Sequence, residues 1–169
     1  MVLYFISDTH LFHTNIIKYC NRPFKNVEEM NNTIINKWNS IVKLGDTVYH
    51  LGDFTLYSNE IKELVDKLNG KIYLIRGNHD HKSISYYNRS GLTVIPTQTK
   101  LDEYKIILSH RPLEDNQIPE GYINVHGHIH DHELEEKFDK SKHFNISVEQ
   151  TNYKPISIDE VLKRISLLK

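Results

Sequence analysis

The stretch MVLYFISDTH, residues 1–10, decides the fold, because it sets an unbroken apolar run over residues 2–6 directly against a polar exit, Ser7-Asp8-Thr9-His10. A run that short, stopped by an aspartate, reads as a buried strand. It is too short for the apolar region of a signal peptide and far too short to span a bilayer, so a cytoplasmic protein with no membrane partner is expected. The same grammar recurs along the chain. Residues 47–51, 71–75, 92–95, 105–108, 122–126 and 144–148 also read as strands.

Between the early strands lie helical periods. Val27, Met30, Ile34, Trp38, Ile41 and Val42 fall at spacings of three and four, with Asn26 and Glu29 as a capping pair and Gly45 as the stop. A second helix presents Ile61, Leu64, Val65 and Leu68 and closes at Asn69-Gly70. A short helix is expected near residues 83–90. A last one starts at the capping box Ser157-Ile158-Asp159-Glu160, with Val161, Leu162, Ile165 and Leu168 inward. Alternating strands and helices in the first half imply an α/β sandwich with parallel strands, and the closer-spaced later strands imply a second sheet or an antiparallel extension.

Composition bounds the rest. The 169 residues suit one domain, 1–169, and 38% hydrophobic with 25% charged residues fits a globular chain. A formal net charge of −1 offers no general attraction to long nucleic acid or an anionic membrane, so any phosphate affinity must be local. Cys20 is the only cysteine, which excludes an internal disulfide framework and a thiolate metal cage. No P-loop or G-x-G-x-x-G loop occurs, and the near-match to H-E-x-x-H at His132-Glu133 fails because Glu136 stands at its last position.

In open α/β sheets ligands bind outside the carboxyl ends of strands, so the strand exits are where chemistry is sought. They read Asp8-Thr9-His10, Gly52-Asp53, Gly77-Asn78-His79-Asp80, Ser109-His110-Arg111-Pro112 and Gly127-His128-Ile129-His130. Aspartate, histidine or asparagine sits beside a turn-forming residue at each exit, which core packing does not explain. Asp8 and His10, two apart in extended chain, would point to one side and could share an ion. His128 and His130 have the same relation, or bind neighbouring ions if the turn at Gly127 splays them. Carboxylate with imidazole and no sulfur suits manganese, iron or zinc.

This ordered set resembles the calcineurin-like metallophosphoesterase family, whose motifs D-x-H, G-D, G-N-H-D, H and G-H-x-H are matched in order over residues 1 to about 130. The resemblance implies an αββα two-sheet sandwich of the small prokaryotic or phage type. It implies two divalent metal ions, manganese expected, with iron, zinc or nickel as alternatives. One would be held by Asp8, His10, Asp53 and His130, the other by Asp53, Asn78, His110 and His128. Gly-Asp also occurs at Gly45-Asp46, but Asp46 precedes its strand and lies at the far end from the other clusters, so the bridging position goes to Asp53. Such a pair activates a hydroxide and clamps the oxygens of a displacement at phosphorus. His79 resembles the catalytic histidine that assists the leaving group, with Asp80 orienting that imidazole or its neighbours.

The segment HTNIIKYCNRPF, residues 13–24, follows the first ligand pair and is a substrate-contacting candidate through His13, Asn15 and Arg22. Arg22 either grips a phosphate oxygen in bidentate fashion or is a solvated loop cation. Arg76 and Arg111 are expected to brace loops, His126 to be structural, His132 to be exposed, and Tyr49 and His50 to pack within a strand. The expected substrate is a small phosphodiester such as a cyclic nucleotide or a nucleotide-derived ester. The alternatives are a nuclease on short or single-stranded nucleic acid and a non-catalytic protein-binding scaffold on the same fold.

Overall fold

The computed structural model describes residues 1–56 and 61–167. Two sheets face each other. The larger has the order β4-β3-β2-β1-β9, built from β1 (Leu3–Ile6), β2 (Thr47–His50), β3 (Lys71–Leu74), β4 (Thr93–Val94) and β9 (Ile156–Ser157). Its first four strands are parallel and β9 closes the edge antiparallel to β1. The smaller sheet runs β5-β6-β7-β8, from β5 (Gln98–Leu101), β6 (Ile106–Ser109), β7 (Ile123–His126) and β8 (His143–Asn145). Only β5 is antiparallel to its neighbour there.

The helices α1 (Ile16–Tyr19), α2 (Val27–Ile41), α3 (Ile61–Val65) and α4 (Ile84–Arg89) connect the parallel strands of the larger sheet. Ile6, Val48, Ile72 and Leu74 on one face of that sheet pack with Met30, Ile34 and Trp38 of α2, with Leu64 and with Tyr87. The opposite face, through Phe5, Leu51 and Ile75, meets Ile106, Leu108 and Val125 of the smaller sheet, and α5 (Ile158–Ser166) inserts Val161 and Ile165 at the same core. Along β6 the period of two is visible: Ile106 and Leu108 face inward while Ile107 packs outward under Leu113 and Ile118. That thin outer cover takes the place of a full second helical layer among the described residues.

Local chemistry explains most boundaries. The Asn26 side chain accepts from Glu29 N–H at 2.9 Å, and Ser157 accepts from Glu160 N–H at 3.3 Å. α2 ends at Ile41 rather than running to Gly45. Val42 is already extended, and the Asp46 carboxylate draws in the N–H groups of Lys43 and Val2 at 2.9 and 2.8 Å. Asp46 therefore ties the amino end of β2, away from the strand exits. α1, β5 and β9 were not legible as elements, being short or polar; the inward placing of Leu168 lies outside the described residues.

Candidate metal centre

The strand exits converge because the two sheets are stitched at their carboxyl ends. Ser7 bridges to Ser147, where Val148 N–H donates to Ser7 O at 3.1 Å. Asp8 N–H donates to Gly52 O and His10 N–H to Asp53 O, at 3.0 and 2.9 Å, so the first two exits run side by side. Close approach is possible only because glycines stand at the crossings. A Cβ on Gly127 would strike Ser7 Oγ and Asp8 Oδ2, and one on Gly77 would strike Asp53.

Two donor groups result at the strand exits, Asp8, His10 and His130 in one, Asp53, His110 and His128 in the other, and a third, Cys20 with Glu149, shares His130. The turn after β7 splays His128 and His130 apart, and each carries a left-handed backbone, φ 70° and 51°. Asp8, His10 and Asp53 share that conformation, at φ 59°, 47° and 54°. The expectation of an extended Asp8–His10 pair is thereby corrected, since two left-handed residues, not strand alternation, aim these side chains. Left-handed non-glycine residues cost free energy and persist where the surrounding structure enforces them, commonly at functional sites.

Asp53 joins the groups. Its Oδ1 accepts from His79 N–H at 2.9 Å, while Oδ2 lies 3.4 Å from His10 Nε2 and 3.5 Å from His110 Nε2. His110 Nδ1 faces Leu51 O at 2.8 Å, a carbonyl that only accepts, so Nδ1 carries a proton and Nε2 is the ring atom turned to the cluster. Nε2 lies 3.0 Å from Asn78 Oδ1 and 3.5 Å from the Asp53 carboxylate. With the ring neutral, these three atoms are all acceptors and converge as ligands of one cation would. Asp8 Oδ1 and both ring nitrogens of His10 are likewise buried without a hydrogen-bond partner. Burial, then the Arg22 charge and neighbouring imidazoles, push the His10 pKa far down, and burial with His110 and Arg111 pushes His128 down to about 4. Both stay neutral and able to ligate. At His130 burial opposes protonation, but Cys20, Glu149 and Asp8 outweigh it and push the pKa up to about 10, so this ring keeps its proton until a cation displaces it. The donor set fits a pair of divalent cations.

His79 lies beside this cluster, 5.3 Å from His10 ring to ring, with no side-chain hydrogen bond among the described residues. It lines a cavity of roughly 420 Å³ with Phe12, His13, Asn15, Tyr19 and His81. On the other side, Asn78 and His110 line a second cavity of roughly 340 Å³ with Arg76 and Arg111.

Two expectations need correction. Of the two alternatives for Asp80, the contacts lie with the neighbours of His79 and not with its imidazole: the carboxylate accepts from the N–H groups of Asp53, Gly77 and Phe54 at 2.8, 2.8 and 3.1 Å, which makes it a brace for the Asp53 turn. Arg22 faces neither solvent nor the cavities. Buried behind Asp8, it donates from Nη2 to Asp8 O at 2.7 Å and Glu149 Oε1 at 2.8 Å, from Nη1 to Thr9 O at 2.9 Å and Met30 Sδ at 3.4 Å, and from Nε to Glu149 Oε1 at 2.9 Å, so its five N–H donors are engaged. Arg22→Leu is expected to lower stability by about 3–5 kcal/mol in urea unfolding, because it strands a buried carboxylate. An unchanged midpoint with a raised KM would return Arg22 to phosphate contact.

Glu149 was missed. Its Oε1 lies 3.1 Å from His130 Nδ1, linking Arg22 to the ring of a candidate ligand as outer-sphere carboxylates do. It directly follows the expected strand 144–148, so the strand-exit rule would have found it. His50 adds a second support: Gly52 N–H donates to its Nδ1, leaving Nε2–H to donate to Thr9 Oγ1, which donates to Phe54 O. Burial first, then His110, push its pKa down to about 3, so it stays neutral in this role. His126 is buried with Nδ1 at 3.0 Å from Gly127 O, and His132 is exposed.

Fold and centre together define a two-sheet α/β protein with a twin metal-donor cluster at its strand exits. The model of the calcineurin-like phosphoesterase family matches residues 1–167, and the chain belongs to that family. It is accordingly a metal-dependent hydrolase of phosphate ester bonds, of a family that binds a dinuclear divalent metal centre. An uncharacterized protein of Methanocaldococcus jannaschii is 46% identical over 170 residues, covering 96% of this chain and 90% of that protein. A gene 66 protein of Mycobacterium phage L5 is 27% identical over 161 residues, covering 75% of this chain and 76% of its own. Among solved structures, a protein of unknown function from Aquifex aeolicus aligns with a TM-score of 0.73 at 29% identity, over 96% of this chain and 98% of that one. A Pseudomonas putida nuclease shares the fold, with a TM-score of 0.52 at 18% identity over 76% of this chain and 61% of that one. No helix among the described residues is long and apolar enough to cross a membrane.

Proposed function

We propose that the protein hydrolyses a small, nucleotide-derived phosphodiester. Asp8, His10, Asp53 and His130 would hold one divalent ion and Asp53, Asn78, His110 and His128 the other, with manganese the expected metal. The observation that carries the diester reading is the pair of cavities flanking the donor cluster, one walled by His79 and the other by Asn78 and His110. A monoester has one carbon-bearing arm and needs one such space. A diester has two.

Bound ions supply the activated water and offset the charge of the phosphoryl group. The chain's own residues do the rest. His79 is tethered by its N–H to Asp53 Oδ1 while its ring, packed near the rings of His10, His13 and His81, makes no hydrogen bond among the described residues and lines the cavity, the arrangement a proton donor to the leaving oxygen requires. His13 and Asn15 line the same space and are the candidates to orient the departing alcohol. Asp80 and Glu149 hold the Asp53 turn and the His130 ring, keeping the donors aimed without contact to substrate.

The test is hydrolysis of bis-p-nitrophenyl phosphate against p-nitrophenyl phosphate with manganese. The diester is expected to be favoured by about tenfold or more in kcat/KM, with activity abolished by a chelator and restored by the metal. A preference for the monoester would refute the diester assignment. Inactivity on every ester and short single strand, with any divalent metal, would favour the protein-binding scaffold.

A further inference from the structure

Arg111 differs from the other arginine near the donor cluster. Arg22 has spent its guanidinium on backbone carbonyls and Glu149, whereas the Arg111 guanidinium makes no hydrogen bond or ion pair among the described residues. Its backbone is nonetheless fixed. Ser109 Oγ donates to Arg111 O at 2.6 Å, and Pro112 restricts the residue before it to extended conformations. Arg76, at the exit of β3, makes only a long contact among the described residues, 3.4 Å to Lys82 O. The two arginines come from different sheets and share one cavity with Asn78, Thr97, Gln98 and His110.

None of the described residues lining that cavity is acidic, although the chain has 22 aspartates and glutamates. Arg76 and Arg111 are both exposed cations of this lining, so an anion entering the cavity meets two positive charges. A guanidinium presents a planar fork of donors that matches phosphate in bidentate fashion, and a cavity of roughly 340 Å³ falls within the size range of ligand sites. Asn78 and His110 place this wall against the second donor group, so an anion bound here lies next to the reacting phosphorus without occupying its place.

We propose that Arg76 and Arg111 form a binding site for a second phosphate of the substrate, carried on the ester arm that stays behind when the other leaves past His79. The preferred substrate is then a phosphodiester with a further phosphate, as in a dinucleotide bearing a terminal phosphate. The second phosphate takes no part in bond making. This specificity rests on the diesterase reading above; the anion site itself does not.

The experiment compares, in the manganese-loaded enzyme, kcat/KM for dinucleotides with a 5′- or 3′-phosphate against the same dinucleotides without one. One phosphorylated form is expected to be favoured by about tenfold or more. That ratio should fall to near unity in Arg76→Gln/Arg111→Gln and persist in the distant control Lys67→Gln. In parallel, the affinity of chelator-treated protein for inorganic pyrophosphate, measured by calorimetry, should weaken by about tenfold or more in the double variant. A wild-type ratio near unity, or a ratio kept by the double variant, overturns the proposal. If no diester is hydrolysed at all, the diesterase reading has failed and pyrophosphate decides: affinity lost with the arginines upholds the anion site, and affinity retained overturns it.

Discussion

Asp53→Asn is expected to lower turnover of bis-p-nitrophenyl phosphate by roughly 10³-fold or more and to leave the chain unable to hold both ions at once. The reason is the position of one atom. Asp53 Oδ2 is within 3.5 Å of ring nitrogens from both donor groups, so in the proposed centre it would be the shared ligand. Asparagine keeps an oxygen to accept from His79 N–H, so the turn survives, but it sets an amide nitrogen, a donor, where two cations need an acceptor. It also removes a negative charge from a buried point crowded with imidazoles. Metal content by plasma emission and a far-UV spectrum separate loss of ions from loss of fold. Two ions retained with turnover within about tenfold of wild type would place the shared ligand elsewhere.

His79→Asn is the second large effect, with the opposite metal signature. Its imidazole belongs to neither donor group, so both ions should stay bound. Turnover should nevertheless fall by about 10²–10⁴-fold on diesters whose leaving group is an ordinary alcohol, because general-acid assistance is worth that much in favourable cases. The loss should be far smaller on p-nitrophenyl esters, since p-nitrophenolate departs without a proton. Equal losses on both substrates would assign His79 to charge stabilisation or positioning instead. Equal activity of variant and wild type would remove it from the reaction.

Much of this architecture was legible in the residues themselves. Apolar runs of four or five residues ended by Asp, Gly or Ser marked the parallel strands, since a strand buried on both faces needs no alternation. The caps at Asn26 and Ser157 were readable because a side-chain oxygen three residues ahead of a free N–H is a local arrangement. β5, reading Gln98-Thr-Lys-Leu101, was not, because an edge strand with one face in solvent carries a weak apolar signal. β9 is a strand only because β1 offers it an edge.

The donors of the centre were set by residue type and by their places after strands, both properties of the chain alone. Their aim was not. Five left-handed residues, the splaying of His128 from His130 and the turning of Asp80 toward backbone N–H groups follow from packing two sheets face to face, and no local pattern encodes that. The arginines show the same division. Arg22, Arg76 and Arg111 are equal as letters, each beside a motif. Burial committed Arg22 to carbonyls behind Asp8, and the meeting of two sheets left Arg76 and Arg111 in one open wall. A guanidinium's role depends on which acceptors lie within reach, and reach is decided by tertiary structure.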